Sequence, residues 1–327
     1  MPFTNPDRPF HFAGTENPDF AIFPAHFAQI LWVTIPYPLS VSFSAWMGGS
    51  NDYVSMPVHQ GYVHGGSGTD ILNFLPSYGG LVLDLDQEVA VKSELYDPNA
   101  NVTAELPSLQ YSEFEQIFTT NHDDVVLGTN TPSRTPDILF LAGGNDEFRG
   151  GDTDDFVFGG NDLDRLFGGE GNDTLMGDSG NDTIFGGAHG DDIDGGADRD
   201  HLHGESGNDV INGGSGNDFI DGGEGVDELQ GGADADQFVF LSRDTGDFFN
   251  GFADAILDFE VSDTIRIPSG LTEVAATLSP GLNEFSVTDQ GDHFLVTWRD
   301  NDLNFHDVIV HGDDPSGHII ADWSLII

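Results

Sequence analysis

Residues 132–239 repeat a pattern of polar and apolar positions with a period of nine residues. All twelve nine-residue units carry an Asp at the sixth place and an apolar residue at the eighth place. Most units begin with two glycines, as in GGEGNDTLM from Gly168 and GGSGNDFID from Gly213. The residues around the eighth place are sufficient only for a short strand, which needs stacked neighbours to be stable. The pattern therefore predicts stacked strands that alternate with glycine-rich turns.

The sixth-place carboxylates are predicted to form two ladders. We expect one unit to reverse the chain and the next to bring it back, so that equivalent places stack every eighteen residues. The first ladder holds Asp137, Asp155, Asp173, Asp191, Asp209 and Asp227, and the second holds Asp146, Asp164, Asp182, Asp200, Asp218 and Asp236. Stacked parallel strands lie about 4.8 Å apart, where two carboxylates repel by about 3 kcal/mol at an effective dielectric constant near 20. A cation is therefore expected between successive carboxylates.

Calcium suits these positions because it takes six to eight hard oxygen ligands in flexible geometry. Carboxylates and turn carbonyls from two successive coils can supply that number. Magnesium requires a stricter octahedron, and zinc prefers His or Cys, which the repeated places lack. We expect roughly seven to ten calcium ions in two rows, with the weakest site near His189. A disordered acidic linker is the alternative, and the apolar residue at every eighth place argues against it.

These units resemble the calcium-binding nonapeptides of the RTX (repeats-in-toxin) family, GGxGxDxUx. The resemblance implies an all-β fold, a calcium-bound parallel β-roll with β-rich N-terminal and C-terminal caps. Calcium ligands are expected from both ladders and from turn glycines. The predicted turn glycines are Gly168, Gly171, Gly180, Gly207, Gly213, Gly216, Gly222 and Gly225.

The pattern divides the chain into four segments. They are residues 1–62 (a β-rich cap or degenerate repeats), 63–131 (an early repeat region), 132–239 (the β-roll) and 240–327 (a capping and secretion-signal region). A small separate domain is the alternative for the first segment. The second holds the unit GGSGTDILN with Asp70, a strand, a polar excursion over 87–107 and a strand that leads into a unit with Asp124. A four-residue insertion, 128–131, then shifts the register.

The last segment resembles the closing region of serralysin C-terminal domains. That resemblance implies that Asp244 and Asp254 complete the final calcium site. Alternation over residues 284–312 predicts an antiparallel hairpin around Gln290. The end of the chain, DWSLII, resembles the C-terminal signals by which RTX proteins leave the cell through a type I exporter.

Composition narrows the choice of partners and compartment. The chain has 57 acidic and 9 basic residues, a net charge of −48 and no cysteine. This charge disfavours nucleic acids and anionic membrane surfaces as partners. No apolar run is long enough for a transmembrane segment, and the N-terminus does not resemble a Sec signal. We therefore expect a secreted, extracellular protein.

The enzyme motifs of the relatives are missing. The sequence contains neither HExxH nor GxSxG, so it lacks the signatures of serralysin proteases and RTX lipases. His189, His201 and His203 are interpreted as solvated outward positions. We expect a calcium-binding protein that folds after export and acts as a structural, adhesive or matrix module, with a polysaccharide or cell surface as partner. The alternative is a secreted enzyme or carbohydrate-binding protein with its active region in residues 1–110.

Overall fold

A computed structural model describes the strands and turns of the chain as two compact units. The described residues are 20–22, 43–46, 53–55, 61–64, 71–74, 80–84, 89–92, 109–112, 116–128, 138–240, 253–267, 272–273, 284–299 and 305–320. The N-terminal unit comprises Met1–Arg149 and Phe156–Phe158, and the C-terminal unit comprises Gly150–Asp155 and Gly159–Ile327. The described residues contain thirty strands and no helix. Consequently, no helix in this part of the chain has the length and apolarity to cross a membrane.

The N-terminal unit consists of short strands in two mostly parallel sheets. Its strands are β1 (Phe20–Ile22), β2 (Phe43–Trp46), β3 (Tyr53–Ser55), β4 (Gly61–His64), β5 (Ile71–Asn73), β6 (Leu81–Asp84), β7 (Val89–Lys92), β8 (Leu109–Ser112), β9 (Gln116–Phe118), β10 (Val125–Leu127) and β11 (Ile138–Phe140), with β12 (Glu147–Gly151) and β13 (Phe156–Asn161) shared between the units. One sheet has the order β1-β2-β4-β8-β7-β6-β10-β12, and the other has the order β3-β5-β9-β11-β13.

One strand of this unit lies where the sequence predicts a polar excursion. Residues Val89–Lys92 form β7, which pairs antiparallel with both β6 and β8. The polar excursion predicted over 87–107 therefore contains a short strand near its beginning. The run Val-Ala-Val-Lys has the β-branched alternation of a strand, and its four residues suffice for the ladder with β6.

The C-terminal unit contains most of the nonapeptides. Its strands are β14 (Arg165–Glu170), β15 (Thr174–Ser179), β16 (Thr183–Ala188), β17 (Asp192–Ala197), β18 (His201–Gly207), β19 (Val210–Ser215), β20 (Phe219–Asp221), β21 (Glu224–Gly225), β22 (Glu228–Ala233), β23 (Gln237–Val239), β24 (Asp254–Phe259), β25 (Thr264–Arg266), β26 (Thr272–Glu273), β27 (Glu284–Asp289), β28 (Phe294–Arg299), β29 (Phe305–Gly312) and β30 (Ile319–Ile320). One parallel row of strands has the order β14-β16-β18-β20 and continues into β23-β25-β30. The other row is β15-β17-β19-β22-β24, followed by β29-β28-β27-β26.

Eighth-place residues form the core of this roll. Leu166, Ile184 and Leu202 pair in successive strands of one sheet, and Leu175 and Ile193 do so in the other. All five side chains are fully buried. The repeat of eighteen residues in these pairings confirms the predicted all-β parallel solenoid.

The predicted hairpin is present in the C-terminal unit. β27 and β28 pair antiparallel, and β28 pairs antiparallel with β29. β29 in turn runs parallel to β24, the last long strand of the roll. Trp298, Val296 and Val308 are fully buried in this small sheet. The hairpin thus extends the second row of strands beyond the nonapeptides.

Candidate metal centre

Hydrogen bonds between coils orient the sixth-place carboxylates. In the C-terminal unit, each Oδ1 accepts the backbone N–H of the Asp one coil earlier, at 2.8–3.1 Å. The first ladder reads Asp155, Asp173, Asp191, Asp209, Asp227, Asp254, and the second reads Asp164, Asp182, Asp200, Asp218, Asp236, Asp263. Since Oδ1 is committed to the neighbouring coil, the position of Oδ2 is fixed as well.

The second carboxylate oxygen is buried without a partner at seven of these positions. Within the described residues, Oδ2 has no hydrogen-bond partner in Asp173, Asp182, Asp191, Asp200, Asp209, Asp218 and Asp236. These seven residues are at most 2% exposed. A buried charged oxygen without a partner is strongly destabilising, so such oxygens are expected to bind a cation.

The unpartnered oxygens lie beside the first-place glycines. A Cβ on Gly213 would lie 2.6 Å from Asp218 Oδ2 and 2.6 Å from the carbonyl oxygen of Gly231, one coil further. A Cβ on Gly168 would collide with Asp173 Oδ2. A side chain at these places would therefore fill a space that carboxylate and carbonyl oxygens from two coils share.

Backbone oxygen is needed to complete a metal site in this arrangement. In the part of the chain that the structure describes, no three side chains of His, Asp, Glu or Cys gather around one point. A cation between coils would therefore combine carboxylate oxygens with turn carbonyls. An all-oxygen set of this kind suits calcium, and the lack of His and Cys disfavours zinc.

Burial and mutual repulsion raise the pKa of these carboxyl groups. Burial, reinforced by the carboxylates of Asp182 and Asp218, raises the pKa of Asp200 to about 8. The same two causes, with Asp173 and Asp209 as neighbours, raise the pKa of Asp191 to about 7. Without a cation, Asp200 therefore favours the protonated form at neutral pH, and Asp191 is close to half protonated. A divalent ion would remove this penalty.

Turns with and without glycine at the fourth place have different backbone conformations. Glycines there have φ of +115° to +159°, whereas Asp162, His189, Asp198 and Asp234 have φ of +78° to +88°. The two types alternate along the second ladder, from Asp162 through Gly180, Asp198 and Gly216 to Asp234. A Cβ on Gly180 would collide with the carbonyl oxygen of Asp162. Glycine and non-glycine turns therefore differ in backbone conformation.

Both side-chain oxygens of Asp263 and of Asp124 accept hydrogen bonds from the protein backbone. Asp263 Oδ1 accepts the N–H of Asp236, and its Oδ2 accepts the N–H of Glu260 at 2.7 Å. In the N-terminal unit, Asp124 Oδ1 accepts the N–H of Leu81, and Oδ2 accepts the N–H of Thr120 at 2.7 Å. Asp124, predicted as a calcium ligand, is thus held by the backbone through both oxygens.

Two further predicted ligands, Asp146 and Asp254, accept hydrogen bonds from the preceding coil. Asp146 accepts the N–H of Asp124 at 2.7 Å, and their separation of 22 residues fits the predicted four-residue insertion. Asp254 joins the first ladder by accepting the N–H of Asp227 at 3.0 Å. Asp70, Asp137 and Asp244 lie outside the described residues.

Sequence reasoning missed Asp263 and a further ladder at the fifth place. Asn172 accepts the N–H of Gly190, Asn181 that of Arg199, Asn208 that of Val226 and Asn217 that of Ala235, at 3.0–3.3 Å. These side chains reach the following coil, whereas the sixth-place carboxylates accept from the preceding one. The signal for Asp263 was its position two residues before the buried Ile265, which reproduces the sixth and eighth places of a unit.

Comparison with known proteins identifies the repeats. The RTX calcium-binding nonapeptide repeat family (4 copies) matches residues 136–166, 167–202 and 203–238. Among solved structures, the chain is similar to the AlgE6R3 subunit of the mannuronan C5-epimerase from Azotobacter vinelandii, determined in solution. The match has 26% identity and a TM-score of 0.24, and it covers 45% of this chain and 82% of that chain. None of the curated proteins matches the chain.

Proposed function

We propose that this chain is a secreted protein that folds when it binds calcium after export, because residues 136–238 match the RTX calcium-binding nonapeptide repeat family. In this proposal, a type I exporter carries the unfolded chain out of the cell. The folded protein then serves as a structural, adhesive or matrix module that meets a polysaccharide or a cell surface. Its expected load is roughly seven to ten calcium ions in two rows.

The unpartnered Oδ2 atoms of the ladders carry this proposal. Stacking the coils buries these oxygens, which water would solvate in the unfolded chain. A cation that binds only the stacked coils shifts the equilibrium toward the folded state. Calcium at the concentrations that extracellular modules use, about 0.1–1 mM, would therefore act as the folding signal.

Circular dichroism of the full chain tests the coupling between calcium and folding. In chelator we expect a largely disordered spectrum, and at about 0.1–1 mM calcium a β spectrum. Magnesium at the same concentration serves as the control and should not restore the β signal, because its small octahedral shell fits these turns poorly. A folded β spectrum in chelator at pH 8 would refute the proposal.

Metal analysis of the dialysed, calcium-loaded protein tests the number of ions. Inductively coupled plasma mass spectrometry should give roughly seven to ten calcium ions per chain. Fewer than five would contradict the two-row arrangement.

The alternative function depends on residues 1–110. In this interpretation the segment holds an enzyme active site or a carbohydrate-binding surface, and the roll assists folding and secretion. Screening the calcium-loaded full chain against polysaccharides and peptides tests it. Turnover of either substrate class would favour the enzyme, and binding without turnover would favour the carbohydrate-binding module.

A further inference from the structure

Two histidines face each other beside the C-terminal hairpin. In the antiparallel pairing of β28 and β29, Phe294 lies opposite Val310. His293 and His311, one step further along each strand, are therefore cross-strand neighbours on one face of the sheet. Their ring centroids are 5.6 Å apart, with an angle of 48° between the ring planes.

One nitrogen of His293 is oriented by hydrogen bonding, and the other is open. Nδ1 lies 2.7 Å from Oδ1 of Asp292. Since the carboxylate accepts the Nδ1 proton, the lone pair of the neutral ring lies on Nε2. Nε2 is buried and has no hydrogen-bond partner within the described residues. A carboxylate behind a histidine that presents its other nitrogen is the usual outer shell of a metal-binding imidazole.

The separation of the rings suits a shared metal ion. Two imidazole nitrogens at 2.0–2.1 Å from a zinc ion, at a tetrahedral angle, hold the ring centroids roughly 5.2 Å apart. The observed 5.6 Å needs only a small adjustment. A contact between two aromatic rings would also allow this distance. Such a contact would leave the buried Nε2 of His293 unsatisfied, whereas a metal ion would satisfy it.

We propose that His293 and His311 bind one divalent transition-metal ion such as Zn²⁺ or Cu²⁺, with Asp292 as a positioning residue and water completing the coordination shell. Imidazole nitrogen favours these ions over calcium, which prefers oxygen. The site therefore has a different metal preference from the carboxylate ladders. A metal ion there joins the turn of the hairpin to β29, the strand that pairs with β24.

Calorimetric titration of the full chain with zinc chloride, at saturating calcium, tests the site. We expect one zinc ion to bind, and His293→Ala and His311→Ala each to weaken binding at least tenfold. Asp292→Asn should weaken it by about 10- to 100-fold, as does loss of the hydrogen-bond partner that orients a metal-binding imidazole. His122→Ala, which changes an exposed histidine outside the hairpin, is the matched control and should bind zinc normally.

Electron paramagnetic resonance with one equivalent of Cu²⁺ adds a direct readout of the ligands. Its nitrogen couplings should show two imidazoles in the wild-type protein and one in His311→Ala. Unchanged circular dichroism and an unchanged calcium midpoint would show that this variant folds normally. A wild-type protein that binds no zinc, equal zinc affinity in wild type and His311→Ala, or a Cu²⁺ spectrum without two imidazoles would overturn the proposal.

Discussion

Replacing Asp200 by Asn should have opposite effects on the calcium-bound and calcium-free protein. An Asn Oδ1 can still accept the N–H of Asp182, a hydrogen bond of 2.8 Å in the native ladder. The variant loses only the charge and the ligand capacity of Oδ2, which is buried and unpartnered within the described residues. Asp198→Asn is the matched control, because it removes one charge from the same turn at an exposed position.

The size of each effect follows from the environment of Asp200. Loss of a charged ligand contact, at about 1.5–3 kcal/mol, should raise the calcium dissociation constant at the adjoining sites roughly 10- to 150-fold. In chelator at pH 8, where no calcium is bound, the same substitution should stabilise the roll. Because the pKa of Asp200 is raised to about 8 from 3.8, ionising this group costs about 6 kcal/mol more in the stacked state than in the unfolded chain. The Asn variant avoids this cost, so its calcium-free roll should be more stable.

Calcium titrations and the β signal that remains in chelator at pH 8, both followed by circular dichroism, measure the two effects. The control Asp198→Asn should change stability by less than about 0.5 kcal/mol in either condition. If Asp200→Asn and Asp198→Asn shifted the calcium midpoint equally, net charge rather than the buried oxygen would govern binding. A calcium-free Asn variant no more stable than wild type would refute the electrostatic argument.

Two further predictions concern turn geometry and pH. Gly180→Ala should lower the free energy of unfolding at saturating calcium by roughly 2–5 kcal/mol, since it adds backbone strain and a collision with the Asp162 carbonyl. Gly291 has φ of +99° and no atom within 4 Å of an added Cβ, so Gly291→Ala should cost only the backbone strain of about 1–2 kcal/mol. Equal losses of unfolding free energy for the two variants in urea titrations would contradict the collision. Because the folded-state pKa values of Asp191 and Asp200 are raised to about 7 and about 8 from 3.8, they favour the calcium-free roll at low pH, and this stability is lost as the pH rises toward 8. Circular dichroism in chelator should therefore show more β structure at pH 5 than at pH 8, and the reverse order would show that the ladders are not the dominant titrating groups.

The periodic part of this protein could be predicted from its sequence, and the irregular parts could not. A strict spacing of Asp and apolar residues determines both strand stacking and the ladders, since a slip of one residue would bury the wrong side chains. Which oxygen of Asp182 faces the neighbouring coil depends on hydrogen bonds that spacing does not show. Asp263 was missed because its partner Asp236 lies 27 residues earlier rather than 18. The fifth-place Asn was missed because it occurs in only some units.

The alternation of turn types along the second ladder determines how this roll can change length. Loss of a single nonapeptide would move every later strand to the opposite sheet. Loss of two would keep the sheets but bring two turns of the same type together, for example those of Asp162 and Asp198 without Gly180 between them. Loss or gain of four nonapeptides preserves both the sheet of each later strand and the order of turns along this ladder. Repeat number along this edge should therefore evolve, and be engineered, in steps of thirty-six residues.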